Sequence, residues 1–165
     1  MANSSIVTET KNKLLSMFQN DDDIVAALNI HEDEDAEDLI GKRLFPYWFI
    51  PTTQEEVKTY ILVEVAINTE RNRYSGSDRI FYDHPTITVY VLSHQDDMIM
   101  SEAGISAVRT DYIAERIDNL LNGYRGLGIG KLQRLSNIPY SLNKTYRYRE
   151  IKFDTVDVNN NICEE

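Results

Sequence analysis

The chain has 165 residues, 42% of them apolar and 27% charged, with a formal net charge of −10. That is the length and usage of one globular domain of about 100–200 residues, which excludes a wholly disordered chain. The strong acidity disfavours broad DNA binding, which needs a basic surface to release counterions, and no apolar run approaches the ~20 residues that span a bilayer.

The first residues, MANSSIVTETKNK, lack the apolar segment of a secretory leader, so none is expected. Residues 8–18 predict a helix, with Leu14 and Phe18 four apart and Leu15 beside them. Asp21, Asp22 and Asp23 can each cap a second helix, whose apolar face is Ile24, Val25 and Leu28. Residues 31–38, HEDEDAED, read as a solvated acidic turn. Residues 1–40 hold 10 acidic and 2 basic side chains, against 17 and 15 in the rest. This divides the chain into an acidic helical N-terminal region over 1–40, a balanced core domain over 41–158 and a frayed tail over 159–165.

Residues 44–51, LFPYWFIP, carry two prolines, which lack an N–H and fix φ. They predict an extended segment that lays its rings on the core, with Trp48 buried. Residues 57–67 alternate as a strand, with Val57, Thr59, Ile61, Val63, Val65 and Ile67 on one face. Residues 86–93 predict a second strand with Ile87, Val89 and Val91 inward. The connection between them is too long for a tight hairpin and reads as a projecting hairpin arm or a loop. Residues 110–122 predict a helix with Ile113, Ile117, Leu120 and Leu121 on one face, capped by Thr110 or Asp111 and ended by Gly123. After a glycine-rich turn, 131–135 predict a short strand. Residues 145–153 predict a last strand, whose apolar pattern slips phase between Tyr148 and Ile151 and suggests a bulge near Arg149. The expected core joins Ile61, Val63, Val65, Ile87 and Val89 to Ile113, Ile117 and Leu121. Strands do not alternate with helices, so the expected class is α+β, a mostly antiparallel sheet with helices on one face.

Signals of catalysis are weak. Gly126, Gly128 and Gly130 precede Lys131, but Arg125 and Leu132 occupy positions where a phosphate loop needs glycine and a hydroxyl. A calcium loop counted from Asp33 meets Asp38 at its obligatory glycine. Glu56–Lys58 and Glu150–Lys152 have the Glu-x-Lys form of PD-(D/E)xK nucleases, which aim two acidic ligands and a lysine at a metal-bound water; the sequence has no Pro-Asp pair. His31, His84 and His94 are scattered, and Cys163 is the only cysteine, so no disulfide, thiolate zinc site, metal or cofactor is expected and the chain reads as made inside the cell. What remains is interaction chemistry. Arg71, Arg73, Tyr74 and Arg79 in the long connection, and Tyr146, Arg147 and Arg149 on the last strand, are residue types favoured at protein interfaces. Their charge complements the acidic N-terminal region, which suits a head-to-tail contact between copies.

The succession EDLIGKRLFPYWFIPTTQEEVKTYILVEV, a long connection, ITVYVLSHQ, RTDYIAERIDNLLNG and GIGKLQRL, roughly residues 37–153, resembles the small neck proteins of tailed bacteriophages. The resemblance implies a non-enzymatic α+β subunit of the virion neck, at the head–tail junction, which reaches the particle from the host cytoplasm. The first expectation is a tail terminator, a homo-oligomeric ring that caps the tail tube and joins the head-side connector. The second is another head–tail connector, a head-completion or adaptor ring bound to the portal. Implied partners are further copies of the chain, in a hexamer or dodecamer, with the portal-side connector and the tail tube. No membrane and no sequence-specific nucleic acid is implied, although genomic DNA would pass through the lumen. Readings from other classes are a metal-dependent nuclease using Glu150 and Lys152, and a small regulatory protein acting as a monomer or dimer.

Overall fold

A computed structural model describes residues 3–52, 56–72, 80–101 and 106–156. Helices α1 (Asn3–Gln19) and α2 (Asp22–Ala27) lead into a two-residue strand β1 (Leu44–Phe45) and the long strands β2 (Thr59–Asn72) and β3 (Ile80–His94). A 3-10 turn (Gln95–Asp97), a minimal pair β4 (Ile99–Met100) and β5 (Ala107–Val108), and helix α3 (Arg109–Leu121) follow. Strands β6 (Lys131–Ser141) and β7 (Tyr146–Val156) complete the chain order. The main sheet runs β1-β2-β3-β7-β6, antiparallel except for the parallel β1–β2 pair. The fold is therefore α+β, as the sequence predicts. No described helix is long and apolar enough to cross a membrane.

All three helices cover one face of this sheet. Leu14, Leu15 and Phe18 of α1, Ile24 and Ala27 of α2, and Ile113, Ile117 and Leu121 of α3 share one buried cluster with Ile61, Val63, Val65, Ile87, Val89, Ile151 and Phe153. Every predicted core residue is in that cluster, because period 2 on the strands and 3.6 on the helix leave one continuous apolar face on each. The N-terminal helices thus pack into the same core as the sheet. Asp21 caps α2 by accepting the Ile24 N–H at 3.0 Å.

The opposite face carries a second, aromatic core. Tyr60, Leu62, Leu92 and Tyr146 are buried there under Phe45, Trp48 and Phe49. The proline-bounded segment after β1 folds back across the sheet, and Trp48 sits 4.5 Å from the Tyr90 ring and 5.2 Å from that of Tyr148. Trp48 is half-buried, not buried as expected, because it is the lid of this cluster and not its centre.

Several boundaries differ from the sequence reading. The long connection is a hairpin arm: β2 and β3 stay paired as far as Asn72 opposite Ile80, whereas β7 joins β3 only from Thr86 onward. Strand β6 is eleven residues long and includes Pro139, which the outermost strand of a sheet tolerates. The bulge lies on β6 between Arg134 and Ser136, not on β7 near Arg149. β7 runs in register with β3; its apolar pattern changes sides because Tyr146 faces the aromatic core and Ile151 and Phe153 face the helices. Helix α3 starts at Arg109 without a side-chain cap, so neither Thr110 nor Asp111 has that role. Gly123 ends it with φ 90°, as predicted, and the glycine turn also needs positive φ at Gly128 and Gly130.

Candidate functional site

The sequence-predicted interface residues divide by location. Arg73, Tyr74 and Arg79 lie outside the described residues, and Arg71 is placed by its backbone alone, opposite Phe81 near the end of the arm. Tyr146 is fully buried and donates its hydroxyl to the Glu56 carbonyl at 2.7 Å. It therefore serves the aromatic core of its own chain, not a partner, a role invisible in its KTYRYR context.

Arg147 and Arg149 alternate with Tyr146 and project to the helix side of β7. There they line an open groove of about 550 Å³ between the far ends of β6 and β7 and the start of α3, with Met98, Val108, Thr110 and Asp111 on its other wall. Arg149 is committed within the chain: its Nε donates to Asp111 Oδ1 at 2.8 Å and its Nη1 to Asn137 Oδ1 at 3.0 Å. Arg147 is exposed and donates to the Ser141 hydroxyl across the β6–β7 turn.

The residues considered for nuclease chemistry are engaged in local ion pairs. Glu150 and Lys152 pair at 3.0 Å on the outer face of β7, and Glu56 and Lys58 at 3.5 Å. Among the described residues, no group of three or more His, Cys, Asp or Glu side chains is placed to hold a metal ion. His94 is buried at the strand end and accepts the Asp96 N–H on Nδ1.

The acidic segment 31–38 is not wholly solvated. Glu34 turns inward and takes a forked contact from Arg43, which is fully buried, while Lys58 approaches it at 3.4 Å. The Arg43 hydrogen bond, against a smaller opposing effect of burial, holds the Glu34 carboxyl down to about 2. His31 Nε2 meets the Val57 carbonyl at 3.4 Å, and Gln19 at the end of α1 binds the Glu37 carbonyl and the Leu39 N–H. These contacts hold the segment against the β1 edge of the sheet, with Glu32, Asp33, Asp35, Glu37 and Asp38 exposed. A buried polar cluster stands nearby: Asp97 accepts from Thr59 at 2.7 Å and Asn29 at 2.8 Å and pairs with Arg109 at 3.2 Å. Neither Arg43 nor Asp97 stood out in the sequence, since each sits in an ordinary polar context and acquires its partner from a distant element.

Two sheet edges remain with unusual surfaces. Among the described residues β6 pairs only with β7, and it carries Leu135, Ile138 and Tyr140 in the open, with 59%, 43% and 41% of their surface exposed. Exposed hydrophobics at the β1 edge are Ile40, Tyr47 and Val57. The signal in the sequence was the apolar content of KLQRLSNIPYS, which lacks any acidic residue.

No curated protein matches the chain. The YomW family model matches residues 12–155, from within α1 to the penultimate residue of β7. That span takes in both cores and both sheet edges, so the chain belongs to the YomW family and is phage-related.

Proposed function

We propose that this protein is a non-enzymatic structural subunit of the phage neck, of tail-terminator type, whose copies close into a ring that caps the tail tube and joins it to the head-side connector. Membership of a phage-related family supports the setting, and the order of segments resembles that of neck proteins. The observation that carries the reading is the β2–β3 arm. Beyond Thr86 the two strands are a ribbon that pairs with no third strand among the described residues. A two-stranded ribbon has little stability of its own and presents backbone edges on both sides. Such an element is suited to ordering against a neighbouring subunit or the next ring, in the way extended strands dock on exposed sheet edges.

The test joins Asn68 to His84, a directly paired position, through an Asn-Gly turn in place of residues 69–83. The shortened protein is expected to fold with a stability within about 1 kcal/mol of the full chain, because the core residues among the described side chains lie outside the deletion. It is expected to be missing from purified particles, and phage carrying it to leave tubes and heads unjoined. Cryo-electron microscopy of the intact particle locates the full chain. Normal incorporation of the arm-deleted chain, or a position away from the neck, overturns the reading.

A further inference from the structure

The two ends of the sheet are opposite in charge and alike in apolar exposure. At one end, the β1 edge, stand the exposed carboxylates of Glu32, Asp33, Asp35, Glu37 and Asp38 around the exposed side chains of Ile40, Tyr47 and Val57. Ile40 bridges to Leu44 of β1, the Tyr47 ring lies 5.7 Å from that of Phe45, and Val57 holds His31, so these three belong to that edge by contact. At the other end β6 exposes Leu135, Ile138 and Tyr140. Lys131 and Arg134 stand on the same strand, with Arg125 before it and Arg147 across the turn, and β6 itself has no acidic residue. Three strands, β2, β3 and β7, separate the two edge strands.

From this we infer that the β6 edge of one copy docks on the acidic β1 edge of the next, a heterologous contact between different surfaces of the same chain. The proposal rests on the ring reading above and specifies its subunit contact. An isologous pairing of β6 with β6 would face like charge with like charge, and the same holds for the acidic edge with itself. Only the head-to-tail arrangement satisfies both apolar patches and both charges. Such a contact leaves one free edge of each kind at every stage of growth, so it ends in a closed ring or continues as a filament. The inward-turned Glu34 has a part in this: by pairing with buried Arg43 it pins the segment while leaving its other five carboxylates outward.

Native mass spectrometry of two charge-reversed variants tests the contact. One carries Glu32→Lys, Asp33→Lys and Asp35→Lys, and the other Lys131→Glu, Arg147→Glu and Leu135→Ser. All six positions are exposed, and circular dichroism checks that each variant folds. The wild type is expected to form oligomers larger than a dimer at low salt, with association weakened at least tenfold by raising the salt. Each variant alone is expected to be monomeric. Mixed one to one, they should associate again, as dimers or larger, because the mixture holds one intact edge of each kind and the two reversed edges are opposite in charge to each other. A wild type that stays monomeric at low salt and high concentration overturns the contact, as does a variant that assembles normally alone or a mixture that does not associate. Failure of the neck reading is separate: a chain that assembles by these edges yet lies outside the neck defeats only that reading, and a neck-located chain indifferent to both variants defeats only this contact.

Discussion

Arg43 is a buried charge that depends on a single carboxylate partner. Its guanidinium is fully buried, its Nη1 donates to the Thr59 carbonyl at 3.1 Å, and its charge is met by Glu34. Removing one partner of a buried pair leaves an uncompensated charge, which costs about 3–5 kcal/mol. Glu34→Gln is therefore expected to lower stability by about 3 kcal/mol at neutral pH, measured by urea unfolding. The pH dependence has a definite sign. The Glu34 carboxyl titrates near 2 in the folded chain, well below its usual value of 4.5, so its contribution is full above pH 4.5 and is lost as pH falls toward 2. The variant should show a flatter decline over that window than the wild type, and parallel curves would show that the pair contributes nothing. Asp21 follows the same logic at the helix junction. Burial opposes its ionisation, but the fork from Arg116 and the Ile24 N–H hold its carboxyl below the ordinary value and tie α2 to α3.

At the scale of elements, the aromatic segment after β1 works as a removable lid and the helices do not. Phe45, Trp48 and Phe49 cover one end of the outer face, where burial pushes the Tyr60, Tyr90 and Tyr148 phenols upward. Trp48→Ala should cost about 2–3 kcal/mol, less than a fully buried ring, since part of the indole is already in water. The helix-side core does not depend on it, so the variant should keep its far-ultraviolet circular dichroism while its melting point falls. Fluorescence of this single tryptophan in the wild type reports on the lid directly. A variant that melts as the wild type does would show that the lid is not closed in solution. This element was only half legible beforehand. Its prolines announced an extended segment, but the neighbours it would cover depended on β3 and β7 lying side by side, which local spacing does not encode.

For the whole molecule, the helix-side core decides folding and the sheet edges decide assembly. Val63→Asp or Ile117→Asp places an unpaired charge among side chains with no exposure, at a cost of several kcal/mol, comparable to the ~5–15 kcal/mol stability of a typical domain. Each should yield an insoluble or unfolded chain, and a soluble variant with a normal melting curve would contradict the packing described. Substitutions on the β6 edge, at Leu135 or Ile138, should leave melting almost unchanged while altering the mass in solution. That separation of effects is expected because the two cores lie between the edges and share no exposed residue with them.

Local periodicity determined the class of this fold and its main core. Alternation over 57–67 and 86–93, and the 3.6-residue spacing through α3, each depend on neighbours within one element, so residues such as Ile61, Val89 and Ile117 were placed correctly from sequence. Partner choice across the fold was decided only by tertiary structure. The phase change along β7 looked like a bulge, although it reflects two cores on opposite faces, and the bulge itself fell on β6 at Leu135. Tyr146 read as an interface residue beside two arginines, but the aromatic lid closes over it. The acidic run read as solvent-facing throughout, yet Glu34 turns in to meet an arginine nine residues away that the chain brings back beneath it. A strand's sequence states which side chains alternate; what lies above and below it, and which edge is left open, depends on elements distant along the chain.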